Sequence, residues 1–217
     1  VFDFGFASAI SGELLSAAIV TFWITAIAFS IAVIMGALAT LLIRSNSRAL
    51  ALPYGVASSF FRGTPLLTQI LFVYFVLPEI GLSLSPAVTG IVVLSVHYSF
   101  FLAEVYRALL DAIPRGQWEA SAALGLSRSK AFFFVIFPQV RKNGVAPVGN
   151  YLLSMFKETP LLATISVTEL MFTAKYVGSE YFRYIEPLTI AGAIYLAMSL
   201  PFAIAIRAYE RKGVVPR

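Results

Sequence analysis

The 217 residues are 59% hydrophobic and only 12% charged, with a mean hydropathy of +0.85 and a net charge of +5. A water-soluble domain cannot hide that much apolar surface, so residues 1–217 read as a single membrane-embedded domain. The absence of cysteine excludes disulfides and thiolate metal sites, and a lone histidine, His97, argues against a zinc centre; basic residues scattered between apolar runs argue against nucleic acid.

A spanning helix needs roughly 20 apolar residues. Leu14 to Ile43 is a charge-free run longer than that, closed by Arg44 and Arg48. A second run, from about Ala51 to Leu77, carries Arg62 and stops at Pro78, Glu79 and Gly81. The third extends from about Pro86 to Arg107. A polar stretch from about Asp111 to Lys142 follows, then a fourth run from about Gly144 to Val167, interrupted by Lys157 and Glu158, and a fifth from Pro187 to Ile206. The pattern predicts an all-α, polytopic bundle of about five transmembrane helices. The first thirteen residues hold Asp3 and Glu13 but no Lys or Arg, unlike the basic start of a signal peptide.

Cytoplasmic flanks are enriched in Lys and Arg. Arg44, Arg48, Arg107, Arg115, Arg128, Lys130, Arg141, Lys142, Arg207, Arg211, Lys212 and Arg217 fall on one predicted side. Asp3, Glu13, Glu79, Glu169, Glu180 and Glu186 fall on the other, with only Lys175 and Arg183 against them. This charge distribution predicts an external amino terminus and a cytoplasmic carboxyl terminus.

The inner loop runs from Pro114 through Trp118, Glu119, Ala120, Ser121, Gly125, Leu126, Ser127 and Lys130, and the next apolar stretch reaches Phe137 and Pro138. Pro114 and Gly116 break the third run, Gln117 to Leu124 are helix formers, and Gly125 supplies a left-handed stop. Spacing alone fits two descriptions equally: an amphipathic helix on the inner leaflet anchored by Trp118, or a helix that docks a partner.

Glu119, Ala120 and Gly125, followed by Val135, Phe137 and Pro138, resemble the EAA loop of bacterial ABC importer permeases. The family pattern is Glu-Ala-Ala, three residues, Gly, nine residues, Ile, one residue, Leu-Pro, and this chain keeps the spacing with Ser121 for Ala, Val135 for Ile and Phe137 for Leu. Ile113 to Gln117 resembles the polar amino-acid branch in particular. The resemblance implies a type I importer permease fold in the bacterial inner membrane, with Trp118, Glu119, Ala120, Ser121, Gly125, Leu126, Ser127 and Pro138 forming a coupling helix and its surroundings. It further implies cytoplasmic ATPase subunits, a second permease subunit, identical or not, and an extracytoplasmic solute-binding protein. The sequence has no Gly-x-x-x-x-Gly-Lys-Ser/Thr loop, so no cofactor is expected in this chain, and ATP with its Mg falls to the partner ATPase.

Phe61-Arg62-Gly63-Thr64-Pro65-Leu66-Leu67-Thr68-Gln69-Ile70 recurs as Phe156-Lys157-Glu158-Thr159-Pro160-Leu161-Leu162-Ala163-Thr164-Ile165. Phe, a cation, Thr-Pro-Leu-Leu and Ile keep their register, and both copies resemble motifs of the amino-acid permeases. A proline within a membrane helix frees the carbonyl one turn earlier and bends the axis. Such breaks are tolerated where they line a cavity or pack inside protein. Arg62 and Lys157 lie roughly ten to fourteen residues from the inner boundary, near mid-membrane, where a lone charge costs at least ~2.5 kcal/mol. Glu104 and Glu158 are the available acids.

Arg62, Gly63, Thr64, Pro65, Glu104, Lys157, Glu158, Thr159 and Pro160 are therefore the candidates for a solute path. Carboxylates would hold an ammonium and cations a carboxylate; the plainer possibility is that the charges neutralise one another and fix helix packing. Glu104 matches the Ala-Glu that the amino-acid branch carries after its third helix's Tyr-Ser, here Tyr98-Ser99 and Ala103-Glu104. His97, seven residues from Glu104 on the same helix face, reads as a packed, hydrogen-bonded histidine rather than a proton relay. The small polar solute expected is an amino acid, with an opine or a compatible solute such as ectoine as the alternative. A secondary transporter or channel would use the same charges without a docking loop, and a membrane enzyme is disfavoured by the lone His and absent Cys.

Overall fold

The computed structural model describes residues 2–44 and 47–213, so Arg217 lies outside the described residues. These fold into helices alone, with no strand among them. α1 is Phe4–Ile43, starting well before the predicted Leu14. The reason is a cap: the Asp3 carboxylate accepts from the Gly5 and Phe6 amides at 2.9 and 3.1 Å, which satisfies orphan donors of the first turn. Its 40 residues span about 60 Å, twice the hydrocarbon thickness.

The second predicted segment is two helices. α2, Arg48–Gly63, and α3, Leu66–Phe75, meet at 104°. Thr64 is extended (φ −108°, ψ 146°) because the ring of Pro65 disfavours the helical region for the residue before it. A 3-10 turn, Leu77–Ile80, ends on Gly81 at φ 84°, a backbone suited to glycine. α4, Pro86–Asp111, runs one turn beyond the predicted end.

α5, Arg115–Ala123, is the short helix expected in the inner loop, and Gly125 is left-handed at φ 73° as its spacing required. α6, Arg128–Ala131, leads through a π-helical turn, Phe132–Ile136, into α7, Phe137–Glu158. The predicted fourth segment, Gly144 to Val167, thus covers only the later part of α7. It then tightens into a 3-10 stretch, Thr159–Ile165, which ends on Ser166 at φ 61°. α8, Leu170–Glu180, was not anticipated: at 11 residues and with Lys175 inside, it carries no spanning signal. α9 is Ile185–Gly213.

Among the described residues three helices, α1, α4 and α9, are long and apolar enough to cross a membrane, and the bent pair α2–α3 makes four if taken as one span. The polytopic all-α class holds. The fifth expected span is the α7 region, whose Arg141, Lys142, Lys157 and Glu158 dilute its apolar character.

α1 packs most extensively on α4. Its contact stripe, Ala28, Ala32, Gly36 and Thr40, recurs every fourth residue and is buried. Small side chains let two helices approach closely where lipid supplies no hydrophobic drive between them. At Gly36 an added Cβ would lie 3.0 Å from both the Leu102 Cβ and the Ser99 carbonyl. The main core gathers Ile70, Leu94, Leu102, Met155 and Leu162 around this seam, and a smaller one joins Leu14, Leu170, Val177 and Ala191. Outside, Ile19, Trp23, Leu38, Leu41, Leu196 and Ile204 are exposed, as expected of surfaces solvated by lipid tails.

Candidate functional site

Both Thr-Pro motifs end a helix, and in both the threonine hydroxyl donates back to the carbonyl four residues earlier: Thr64 to Phe60 at 2.8 Å, Thr159 to Met155 at 3.0 Å. Beyond that the copies diverge. At the first, Pro65 cannot donate to Phe61, and the freed carbonyl is taken by Gln69, whose Nε2 lies 2.9 Å from Phe61 O. The same amide reaches Thr64 O at 3.2 Å and Thr64 Oγ1 at 2.8 Å. Polar backbone opened by the break is therefore satisfied within the segment itself. Gln69 lies in the motif but outside the expected solute path; its signal in the sequence is a lone amide one turn after the proline in an apolar run.

That arrangement fixes the histidine. With Nε2 of Gln69 facing acceptors, its Oε1 faces His97 Nδ1 at 3.1 Å, so Nδ1 carries the hydrogen. His97 is buried against the rings of Tyr98 and Phe101, which matches its reading as a packed, hydrogen-bonded residue.

Arg62 reaches Glu104 at 3.4 Å, and Arg107, assigned to the inner flank, meets the same carboxylate at 2.6 Å. Glu104 thus stands between two guanidiniums. Arg62 also lies 5.7 Å from the centre of the Phe101 ring, and Phe61 stacks on Phe100 at 4.8 Å. One face of α4, presenting His97, Phe100, Phe101 and Glu104, accordingly holds the whole first break. The ion pair is partly exposed and worth only about 0–1 kcal/mol, so its charges can exchange partners cheaply. Gly63 is not needed for space, because nothing lies within 4 Å of an added Cβ.

At the second copy Glu158 does not neutralise Lys157; consecutive helical residues point apart. Its carboxylate instead accepts from the Tyr98 hydroxyl at 2.6 Å. Lys157 is exposed and makes no ion pair among the described residues. Thr159 is fully buried, with its hydroxyl 3.0 Å from that of Thr25 on α1. Pro160 opens the 3-10 stretch. Of the expected set, then, α4 gathers Arg62 with Glu104 and, one to two turns away, Glu158 with Tyr98. Lys157 joins neither pair.

The loop around α5 is exposed. Glu119 and Ala120 face outward, Trp118 and Leu126 are half-buried, and Leu124 is 80% exposed. Ser121 is buried and donates to Gln117 O at 2.7 Å, so of the three residues in the Glu-Ala-Ser triplet it faces inward. The Ser127 hydroxyl caps α6 by accepting from the Lys130 amide, and Pro138 sits in the first turn of α7.

A family model described as binding-protein-dependent transport system inner membrane component matches residues 28–213. A Sinorhizobium fredii protein described as probable amino-acid ABC transporter permease y4tG is 34% identical over 94% of this chain and 89% of its own length. The arginine transport system permease ArtQ of Bacillus subtilis is 36% identical over 71% of each chain. Among solved structures, an amino acid ABC transporter crystallised with histidines superposes with a TM-score of 0.90 at 32% identity, covering 98% of this chain and 99% of that one.

Proposed function

The chain belongs to the binding-protein-dependent transport system inner membrane component family, and on that premise we propose that it is the permease subunit of an ATP-driven importer for a polar amino acid. The observation that carries the solute class is a carboxylate flanked by two guanidiniums, Glu104 with Arg62 and Arg107, and a second carboxylate, Glu158, bonded to Tyr98 of the same helix α4. Charges of both signs beside two broken helices suit a zwitterion: the ammonium goes to Glu158 and the carboxylate to Arg62 or Lys157. Relatives described as arginine, cystine and glutamine permeases support that class.

In this reading Gly63, Thr64, Pro65, Thr159 and Pro160 shape the path, and the basic ends of the helices face the cytoplasm with the amino terminus outside. The exposed loop around Trp118, Glu119, Ala120, Gly125, Leu126 and Ser127, with Ser121 and Pro138 holding its shape, docks a cytoplasmic ATPase that binds ATP and Mg. A second permease subunit and an external binding protein complete the importer.

The test reconstitutes the chain in nanodiscs with its cognate ATPase and binding protein and compares ATP hydrolysis across a panel of amino acids. Stimulation by one amino-acid class is the expected result. Failure of any ATPase to bind would overturn the reading. Gly125→Glu separates docking from folding, because a side chain at φ 73° disturbs the end of α5: the variant is expected to fold yet lose coupling, and wild-type uptake would remove the docking assignment.

A further inference from the structure

Between the end of α7 and the start of α8, the chain is tied to α1 by a buried polar seam. Thr21, Thr25, Thr159 and Glu169 are each no more than 1% exposed. Thr25 meets Thr159 hydroxyl to hydroxyl at 3.0 Å. One turn earlier on α1, the Thr21 hydroxyl accepts from the Leu170 amide at 3.1 Å and donates to Glu169 Oε2 at 3.4 Å. The same carboxylate oxygen accepts from the Tyr195 hydroxyl of α9 at 2.6 Å, while Oε1 accepts from the Phe172 amide at 2.8 Å.

An unpaired carboxylate is costly to bury, and Glu169 has no cationic partner among the described residues. Three donors and the N-terminus of α8, which it caps, compensate instead. Two oxygens let one side chain bind α1, α8 and α9 together, which a single hydroxyl could not do. The tie points at Thr25 and Thr21 bracket residues 159–170, and the middle of that stretch is seated by Leu162, whose Cδ1 would lie 2.7 Å from a Cβ at Gly90 of α4. A one-sided apolar contact would leave this non-helical stretch free to slide; pinned at both ends, it has one position.

We infer that Glu169 is a positioning residue for the second Thr-Pro segment: through Thr21, Tyr195 and the first turn of α8 it fixes where Glu158 and Thr159 stand in the solute path. This rests on the permease reading above. Sequence reasoning had placed Glu169 only among the external acids, because nothing local shows which helices a carboxylate will join.

In the reconstituted complex, Glu169→Ala is expected to raise the solute concentration giving half-maximal ATP hydrolysis about tenfold while unstimulated hydrolysis stays within about twofold. Glu169→Gln, which keeps the volume and one acceptor oxygen, should recover part of the loss, and Tyr195→Phe should give a rise of about threefold. Unchanged half-maximal concentrations in both Glu169→Ala and Tyr195→Phe would overturn the inference; if Glu169→Ala does not fold, Tyr195→Phe and Thr25→Val decide it. A second measurement does not depend on transport. The sequence has no cysteine, so nitroxides at Leu41→Cys and Thr164→Cys report the distance from α1 to the segment by pulsed electron paramagnetic resonance. A distribution that broadens in Glu169→Ala and narrows again in Glu169→Gln supports the positioning role even if no solute stimulates the wild-type complex, in which case the permease reading alone fails. An unchanged distribution in Glu169→Ala overturns the positioning role whatever the transport result.

Discussion

Residues 61–70 and 156–165 share Phe, a cation, Thr-Pro-Leu-Leu and Ile in register, yet the first turns the chain through 104° into a new helix and the second tightens into a 3-10 stretch. Both begin alike, with a threonine bonded to its own last helical turn and a proline that cannot continue the ladder. The difference lies in what satisfies the opened backbone. The first copy carries its own solution, Gln69, and is attached to α4 by the partly exposed Arg62–Glu104 ion pair, the Gln69–His97 hydrogen bond and the stack of Phe61 on Phe100. The second is held from outside by Thr25 and Thr21 of α1 and by Leu162 seated against Gly90. A Thr-Pro dipeptide therefore decides where a helix ends, and the surroundings decide how the chain leaves it.

The comparison breaks first on packing. Leu162 is fully buried whereas its counterpart Leu67 is half-buried. Leu162→Ala should cost about 2–5 kcal/mol and Leu67→Ala clearly less; thermal unfolding of the two variants in detergent measures this, and equal losses would mean that the second copy is no better anchored. Next comes Gln69→Ala, which strands the Phe61 and Thr64 carbonyls and should lower stability by about 1–3 kcal/mol. Thr164→Ala, at the matching position, removes only an exposed bond to Leu161 and should change little.

A different readout, uptake, sharpens the functional side. Tyr98→Phe removes the donor to Glu158, a bond to a charged group worth about 1.5–3 kcal/mol. Uptake should fall about tenfold with folded protein retained, and Glu158→Gln should lower it as well; loss of folded protein in both would make the pair purely structural. Least is expected of Arg62→Ala on stability, within about 1 kcal/mol because its ion pair is partly exposed. Uptake should nonetheless fall, since the same guanidinium is proposed to meet the solute carboxylate. Full uptake in Arg62→Ala would remove it from the path.

Much of this was legible in the chain. The α5 helix and its left-handed Gly125 follow from Pro114 and the helix formers Gln117 to Leu124, because caps and stops are local, although Gly116 falls inside the helix. The break at Pro65 follows from the same locality. That Arg62 needs an acidic partner follows from the cost of unpaired charge at membrane depth, but Glu104 and Glu158 were both available, and only packing pairs it with Glu104. Arg107 joining that pair, and Glu158 turning to Tyr98 rather than Lys157, were not foreseen, since each depends on which helix face meets which. α8 escaped notice because a short helix buried by its neighbours needs no spanning signal of its own.

The amino-acid sequence by itself determined the membrane setting, the helical class, the short helix α5 with its left-handed stop, and the two sites where a helix must stop. Those follow from apolar run length, proline chemistry and glycine's backbone freedom, which act over a few residues. Tertiary structure alone decided that Gln69 aligns His97, and that Glu169 joins three helices. It also decided how the second of two related decapeptides is held against α1 and α4. Hydrogen-bond partners more than a hundred residues apart, such as Thr25 with Thr159, exist only once helices have packed, and a buried polar group takes whichever partner that packing brings within reach.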